Sequence, residues 1–303
     1  MPRVHFLPED TAVEVAPGTM LLAAAKAAGI AHTCMCGGNC RCTTCRVMVL
    51  EGIDRLGPRT DDEEKLLGPL NLHPSVRLAC RTKVNGDLTV RRLVIDDEDA
   101  QLANMLNRNL QPVSGGEEKK IAILFADIRD FTPFSATIQG YDVLHVLNRY
   151  FHRMAVVIER NGGYVDNYMG DGLLALFGVD QSADAALCSV RAGWEMLAEA
   201  ERLQPYLEMM YRSHFRIGVG IHFGSAVIGV LGACNRRRKT AIGESVNTAS
   251  RIEGANKACG TNLLISEELF REVGPRVSAR PLDPVCLKGI EGERTLYEVL
   301  GVS

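Results

Sequence analysis

The sequence predicts an α+β protein built as two domains. Three observations carry that reading. The chain has 303 residues, enough to bury two cores. Residues 1–95 hold short strand-type runs around a loop dense in cysteine. Residues 119–303 alternate apolar strand-type runs with long amphipathic helical stretches.

In the first domain, residues 4–7 and 12–15 read as strands on either side of a Pro8-Glu9-Asp10 turn. Pro17, Gly18 and Thr19 open a helix over 20–28, which Gly29 ends. After the cysteine loop, the spacing of Val47 and Val49 marks a strand over 46–50. Residues 61–67 read as a short helix, and 88–95 as the closing strand. Residues 96–118 then change character. Asp96, Asp97, Glu98 and Asp99 form an acidic run, 100–109 has helical composition, and 112–119 is turn-forming and charged. This segment reads either as a solvated tether or as a short helix that carries strain between domains.

In the second domain, residues 121–126 are apolar without alternation, the mark of a buried strand. Residues 141–161 form a helix with Val143, Leu144, Leu147, Tyr150, Phe151 and Met154 on one face. Gly162 and Gly163 stop it. Strands 164–168 and 173–177 flank Met169-Gly170-Asp171-Gly172, a hairpin signal. Residues 184–203 form a second long helix. Residues 216–223 alternate at Ile217, Val219 and Ile221, and should turn at Gly224 into a strand over 226–231. A helix at 245–257, a strand at 263–265, a helix at 267–273 and a strand at 296–299 complete the domain.

Composition narrows the function classes. A formal net charge of −3 supports neither nucleic-acid binding nor a polybasic membrane anchor. The start, Met1-Pro2-Arg3-Val4-His5-Phe6, lacks a signal-peptide apolar core, and 121–125 is far too short to span a bilayer. A cytoplasmic location is expected, with no nucleic-acid or membrane partner. Ten cysteines in that compartment argue for metal ligation over a disulfide framework.

Cys34, Cys36, Cys40, Cys42 and Cys45 crowd one loop, and Cys80 follows in Arg77-Leu78-Ala79-Cys80. Zinc would need a second C-x2-C or paired histidines, and His32 and His73 do not supply that spacing. A 2Fe–2S cluster takes four thiolates, three from a wrapping loop and one from a distant segment. Counting back from the Cys42-x2-Cys45 pair, four intervening residues land on Gly37 and five land on Cys36. The set Cys36-x5-Cys42-x2-Cys45 with Cys80 resembles the adrenodoxin-like branch of the 2Fe–2S ferredoxins. That resemblance implies Cys36, Cys42, Cys45 and Cys80 as ligands, a β-grasp sheet with one main helix, and an electron donor as a partner. Gly37 and Gly38 would let the backbone approach the cluster sulfurs. Cys34 and Cys40 are left as spare ligands or, preferably, bystanders.

Three further blocks lie in the second domain: Phe125-Ala126-Asp127-Ile128 running on to Phe131-Thr132, Gly170-Asp171-Gly172, and Ile242-Gly243-Glu244 running on through Asn247 to Arg251. In this order and spacing they resemble the class III nucleotidyl cyclases, from about residue 119 onward. The resemblance implies an α/β domain with a ferredoxin-like βαβ core. It also implies attack of a ribose 3′-hydroxyl on the α-phosphate, with loss of pyrophosphate. Two divalent ions about 3.5–4 Å apart serve such displacements, and magnesium and manganese favour hard oxygen ligands. The implied metal ligands are Asp127, the Ile128 carbonyl and Asp171. Asn247 would position the ribose, Arg251 would stabilise the transition state, and Lys288 would hold the triphosphate. Asn247 and Arg251 are four residues apart, so on a helix they share a face.

The family's site forms between two domains, so this chain, with one copy of each element, is expected to homodimerise. Base recognition falls on Asn167 and Thr240. Adenylyl enzymes commonly place a lysine where Asn167 stands, whereas Thr240 suits ATP. Asp130 replaces a common glycine, either as a further carboxylate near the metals or as a turn residue. Arg236 to Lys239 reads as a solvated loop. The resulting reading is an adenylate cyclase regulated by the 2Fe–2S cluster. A guanylate cyclase is one rival. An electron carrier with a non-catalytic nucleotide-sensing domain is the other.

Overall fold

Val4 and Phe6, two residues apart, are both fully buried, which sets the first strand with one face inward. In the computed structural model the described residues are 1–70, 72–93, 117–180, 184–231 and 238–302. They divide into two compact units, Met1–Glu117 and Glu118–Ser303. The segment read as a tether, 96–118, with its helical stretch 100–109, lies almost wholly outside the described residues.

The first unit runs β1 (Arg3–Leu7), β2 (Thr11–Glu14), β3 (Thr19–Met20), α1 (Leu21–Ala27), β4 (Arg46–Glu51), α2 (Asp61–Leu67), β5 (Val76–Leu78), β6 (Lys83–Val84) and β7 (Leu88–Arg92). The main sheet has the order β2-β1-β7-β4-β5, with β1 parallel to β7. Leu21, Leu22, Ala24 and Ala25 of α1 pack with Phe6, Val47 and Val90 of the sheet, giving the β-grasp arrangement. The start of α2 is fixed by a capping box between Thr60 and Glu63. Strands β5 and β6 have no counterpart in the sequence reading. β5 is three residues long and buried throughout, so it shows neither length nor alternation.

The second unit runs β8 (Glu117–Ile128), α3 (Phe131–Thr137), α4 (Gly140–Arg160), β9 (Gly163–Met169), β10 (Gly172–Phe177), α5 (Ala185–Tyr211), β11 (Ile217–Leu231), β12 (Arg238–Ile242), α6 (Glu244–Cys259), β13 (Leu263–Ser266), α7 (Glu267–Val273), β14 (Val277–Pro281), β15 (Val285–Cys286), β16 (Glu293–Arg294) and β17 (Leu296–Val302). The main sheet has the order β14-β17-β13-β11-β8-β10-β9, with β12 added on β11. The stretch β11-β8-β10-β9, with α4 and α5 as connections, is the βαββαβ arrangement of a ferredoxin-like core.

β8 explains its own lack of alternation. Ala122, Leu124 and Ala126 join a cluster with Tyr150 and Met154 of α4 and Val190 and Met196 of α5. Ile121 and Ile123 join a different cluster with Ala226, Ile228 and Ala249. Both faces of the strand are covered, so both sets of side chains are apolar.

Four expectations are corrected here. Gly224 makes no turn, and β11 runs unbroken from Ile217 to Leu231. A Cβ at Gly224 would lie 2.6 Å from Ser245 Oγ, so the glycine admits α6 rather than bending the chain. Helix α5 extends two turns beyond 203, through Pro205. Leu203 and Leu207, both buried, hold that extension to the core and outweigh one lost backbone bond. Arg238 and Lys239 are not a loop: they pair with Leu231 and Val230 in β12. On α4 the buried face carries Val146, Tyr150, Met154, Val157 and Ile158, whereas Leu144 is exposed.

Candidate functional site

The cysteine loop of the first unit has little regular structure, and side chains hold it instead. Met35 N–H donates to Thr44 Oγ1 at 2.9 Å, and Thr44 Oγ1 lies 3.1 Å from Cys42 Sγ. Asn39 Nδ2 donates to the Cys36 carbonyl at 2.8 Å. Gly37 and Gly38 both take positive φ, 66° and 94°. The loop is tied to β5 where Ala79 N–H donates to the Cys45 carbonyl. Cys45 and Cys80 are buried, and Cys36 and Cys42 are partly so.

The thiols lie against one another in a series of contacts. Cys36 faces Cys42 and Cys34. Cys34 faces Cys45, Cys45 faces Cys80, and Cys80 faces Cys40. No group of three or more His, Cys, Asp or Glu among the described residues stands in metal-holding geometry. The contact with Cys45 lowers Cys34 to about 6 and Cys80 to about 7, and the same two contacts raise Cys45. Burial, with Cys80 beside it, pushes Cys40 up to about 11. Cys34 and Cys40 therefore touch the expected ligands directly, which their reading as bystanders did not foresee.

Three residues before Cys80, Arg77 of β5 enters a buried ion pair with Glu63. Arg77 Nη2 donates to Glu63 Oε2 at 2.8 Å and Nε to Oε1 at 3.1 Å. Leu78 N–H donates to the same carboxylate at 3.0 Å, and Arg77 also reaches the Gly57 and Pro58 carbonyls. Burial alone would raise the Glu63 carboxyl, but Arg77, Leu78 N–H and Thr60 N–H hold it below its ordinary value.

In the second unit, strand register builds the carboxylate site. β10 pairs antiparallel with β8, Leu173 opposite Ala126, so the next residues out are Gly172 and Asp127. The two-residue turn between β9 and β10 holds Gly170 at φ 66° and then Asp171. Asp171 thereby comes within hydrogen-bonding reach of Asp127. Gly172 keeps room for the pair: a Cβ there would sit 3.2 Å from Asp127 Oδ1. Burial, then the neighbouring Asp171, raises Asp127 to about 6, although Ile128 N–H donates to it at 3.1 Å.

Two groups the sequence reading missed stand near this pair. Glu253 of α6 is raised to about 7 by burial and then by Asp127, with Arg129 opposing. Tyr150 of α4, fully buried with an unpaired hydroxyl, is raised by burial and by both aspartates. Neither belongs to a motif block, and only the fold brings them to the site. Asp130 resolves as a turn residue at φ 54°, exposed and paired with Lys257.

Asn247 and Arg251 lie on the exposed face of α6, opposite buried Ser245, Ala249, Ile252 and Asn256. Among the described residues no hydrogen bond or ion pair joins them to Asp127 or Asp171. Lys288 is exposed in the turn between β15 and β16. Asn167 pairs with Leu174 in the sheet, and the Thr240 hydroxyl donates to Asp166 Oδ2 at 2.7 Å.

Comparison with known proteins matches both domains. Residues 113–301 match the adenylate and guanylate cyclase catalytic domain, and residues 4–85 match the 2Fe-2S iron-sulfur cluster binding domain. An adenylate cyclase of Anabaena cylindrica is 34% identical over 194 residues, 62% of this chain and 38% of that protein. Adenylate cyclase 1 of Rhizobium meliloti is 33% identical over 192 residues, 61% of this chain and 28% of that protein. The chain thus spans well under half the length of these relatives. Among solved structures, the guanylyl cyclase Cya2 is 33% identical with a TM-score of 0.59, covering 62% of this chain and 95% of that one. The adenylyl cyclase CyaB from P. aeruginosa is 26% identical with a TM-score of 0.58, covering 62% and 97%. The chain belongs to the family of adenylate and guanylate cyclase catalytic domains, with a 2Fe-2S iron-sulfur cluster binding domain ahead of that domain.

Proposed function

We propose that the protein is an adenylate cyclase that converts ATP to cyclic AMP and pyrophosphate as a homodimer. The observation that carries this reading is the Asp127–Asp171 pair, set side by side by β8, β10 and the Gly170 turn. Two half-buried carboxylates forced together are costly unless cations neutralise them. Their hard oxygens fit magnesium or manganese, with the Ile128 carbonyl as the third donor. When bound, two such ions stabilise charge on the attacking and leaving oxygens.

The remaining roles fall to residues placed elsewhere on the chain. Asn247 and Arg251, on the open face of α6, serve the carboxylate pair of a second copy. Asn247 orients the ribose, and the Arg251 guanidinium donates to the phosphate as it gathers charge. Lys288 holds the triphosphate, and Asn167 and Thr240 face the base. In the first unit, Cys36, Cys42, Cys45 and Cys80 offer four soft thiolates, a donor set that fits a 2Fe–2S cluster. That cluster, when bound, supplies a one-electron couple. The thiol unit acts as the regulatory input to the cyclase, with an electron donor as its partner. We place the protein in the cytoplasm, where free thiols persist. No described helix is long and apolar enough to cross a membrane.

The test is a turnover assay with manganese and either ATP or GTP, products identified by mass. Cyclic AMP from the wild type, and none from Asp127→Ala, is expected. Cyclic GMP as the main product would transfer the reading to a guanylate cyclase. No cyclic product from either nucleotide would favour the electron carrier.

A further inference from the structure

The base-facing end of the cyclase unit holds a carboxylate that no motif block assigns. Asp166 precedes Asn167 on β9. The ladder between β9 and β10 pairs Leu174 with Asn167 and then Ala175 with Val165, so Asp166 is skipped. It is the extra residue of a β-bulge, a device that re-aims a side chain out of the regular alternation. Its carboxylate reaches β12, where Oδ2 accepts the hydroxyl proton of Thr240 at 2.7 Å. Thr240 is buried, 4% exposed, and its backbone is fixed opposite Gly229 of β11. The other Asp166 oxygen, Oδ1, is buried without a partner. Among the described residues the Thr240 hydroxyl is therefore the donor this carboxylate has.

The chemistry of a hydroxyl gives this contact a consequence. Threonine carries one O–H donor and two acceptor lone pairs, and its proton turns to suit its neighbours. A carboxylate only accepts. With its proton committed to Asp166, Thr240 presents lone pairs alone to any other partner. Adenine carries at C6 an amino group, which donates, whereas guanine and hypoxanthine carry there an oxygen, which accepts. A hydroxyl fixed as an acceptor matches the first and opposes the second.

We infer that Asp166 is a positioning residue that locks the Thr240 hydroxyl as an acceptor, so that the site selects a 6-aminopurine over a 6-oxopurine. The inference rests on the adenylyl reading and names the device behind its base choice. Asp166 does not itself touch the base. Asn167, where adenylyl enzymes commonly carry a lysine, leaves this locked acceptor as the discriminating group. A free hydroxyl could rotate and donate to a 6-oxo group. The lock removes that option.

The experiment compares ATP with inosine triphosphate, which has a 6-oxo group in place of the 6-amino group. It uses the full-length protein with manganese. The variants are Asp166→Ala, Asp166→Asn, Thr240→Val and the Asp166→Ala/Thr240→Val double variant. Equilibrium binding of the two 3′-deoxynucleotides, which cannot cyclise, gives a readout independent of turnover. The wild type should prefer ATP. Asp166→Ala should lower the ATP-to-inosine-triphosphate ratio of kcat/KM about tenfold, the worth of roughly one neutral hydrogen bond, chiefly through improved use of the oxopurine. Asp166→Asn retains an amide oxygen that can accept the same proton, so it should keep most of the ratio. Once Thr240→Val is present, Asp166→Ala should change the ratio no further. If Asp166→Ala does not fold, the Asn and Val variants still report the ratio.

Equal loss on both nucleotides in Asp166→Ala would reduce Asp166 to a structural role and overturn the inference. So would an unchanged ratio, or a wild type that does not discriminate. A wild type that prefers GTP overturns both this inference and the adenylyl reading. An enzyme that makes cyclic AMP but whose ratio ignores Asp166 overturns this inference alone.

Discussion

The two chemical centres of this chain are built on opposite plans. In the cyclase unit, strand pairing does the work: Leu173 opposite Ala126 dictates that Asp171 meets Asp127. In the first unit, Cys36, Cys40 and Cys42 lie in a loop with little regular structure, held by Thr44, Asn39 and the link from Cys45 to Ala79. A site made by register exists as soon as its sheet folds. A site made by a loop depends on the group it wraps, because binding energy then becomes folding energy. The carboxylates are set by strand register, whereas the thiols are set by a loop.

The largest expected effect separates the two plans. Asp127→Ala should abolish cyclic-nucleotide formation and leave iron content and the visible spectrum untouched. Cys45→Ser should remove the 2Fe–2S absorption and loosen the first unit by hydrogen exchange. If Cys45→Ser leaves exchange in residues 30–50 as slow as in the wild type, the loop is preset after all and the contrast fails.

A smaller effect concerns the strand that leads to Cys80. Glu63→Ala strands Arg77 in the interior and should cost about 3–5 kcal/mol, since breaking a buried pair leaves an unpaired charge. Thermal unfolding of the first unit should fall accordingly and the cluster should bleach sooner in air. The cyclase transition should stay in place.

The smallest effect is the coupling between the centres. Turnover by cluster-loaded protein should differ between the oxidised state and the dithionite-reduced state. Equal rates with the cluster spectroscopically intact would leave the first unit a structural role.

The same contrast governs what the sequence disclosed. The strand ending at Asp127 and the Gly-Asp-Gly turn at Asp171 have local signatures, whereas the metal-ligand role of the two aspartates is what the family resemblance implies. The four-residue spacing of Asn247 and Arg251 puts them on one helix face, and that face of α6 is exposed, but their roles are what the resemblance implies. Glu253 and Tyr150 could not be read, because they reach the carboxylates only through packing of α6 and α4. Asp166 was hidden by the bulge, since strict alternation sends it to the face opposite Asn167. Gly224 misled because a glycine that admits a neighbouring helix looks, in sequence, like one that turns the chain. In the cysteine loop, spacing chose Cys36 over Cys34 and Cys40. Spacing carries no information on which thiols lie against which, and there the spare pair proved to touch Cys45 and Cys80.

The central claim is that one copy supplies the carboxylates and the other supplies Asn247 and Arg251. Mixing two inactive proteins tests it most directly. Asp127→Ala alone should show no turnover, and Arg251→Ala alone should lose roughly two to three orders of magnitude, as for one transition-state donor. In a mixed dimer one site would have both of its halves intact, so co-refolded Asp127→Ala and Arg251→Ala chains should recover cyclic AMP formation. A mixed dimer verified by mass that stays as inactive as its parents would contradict the shared site.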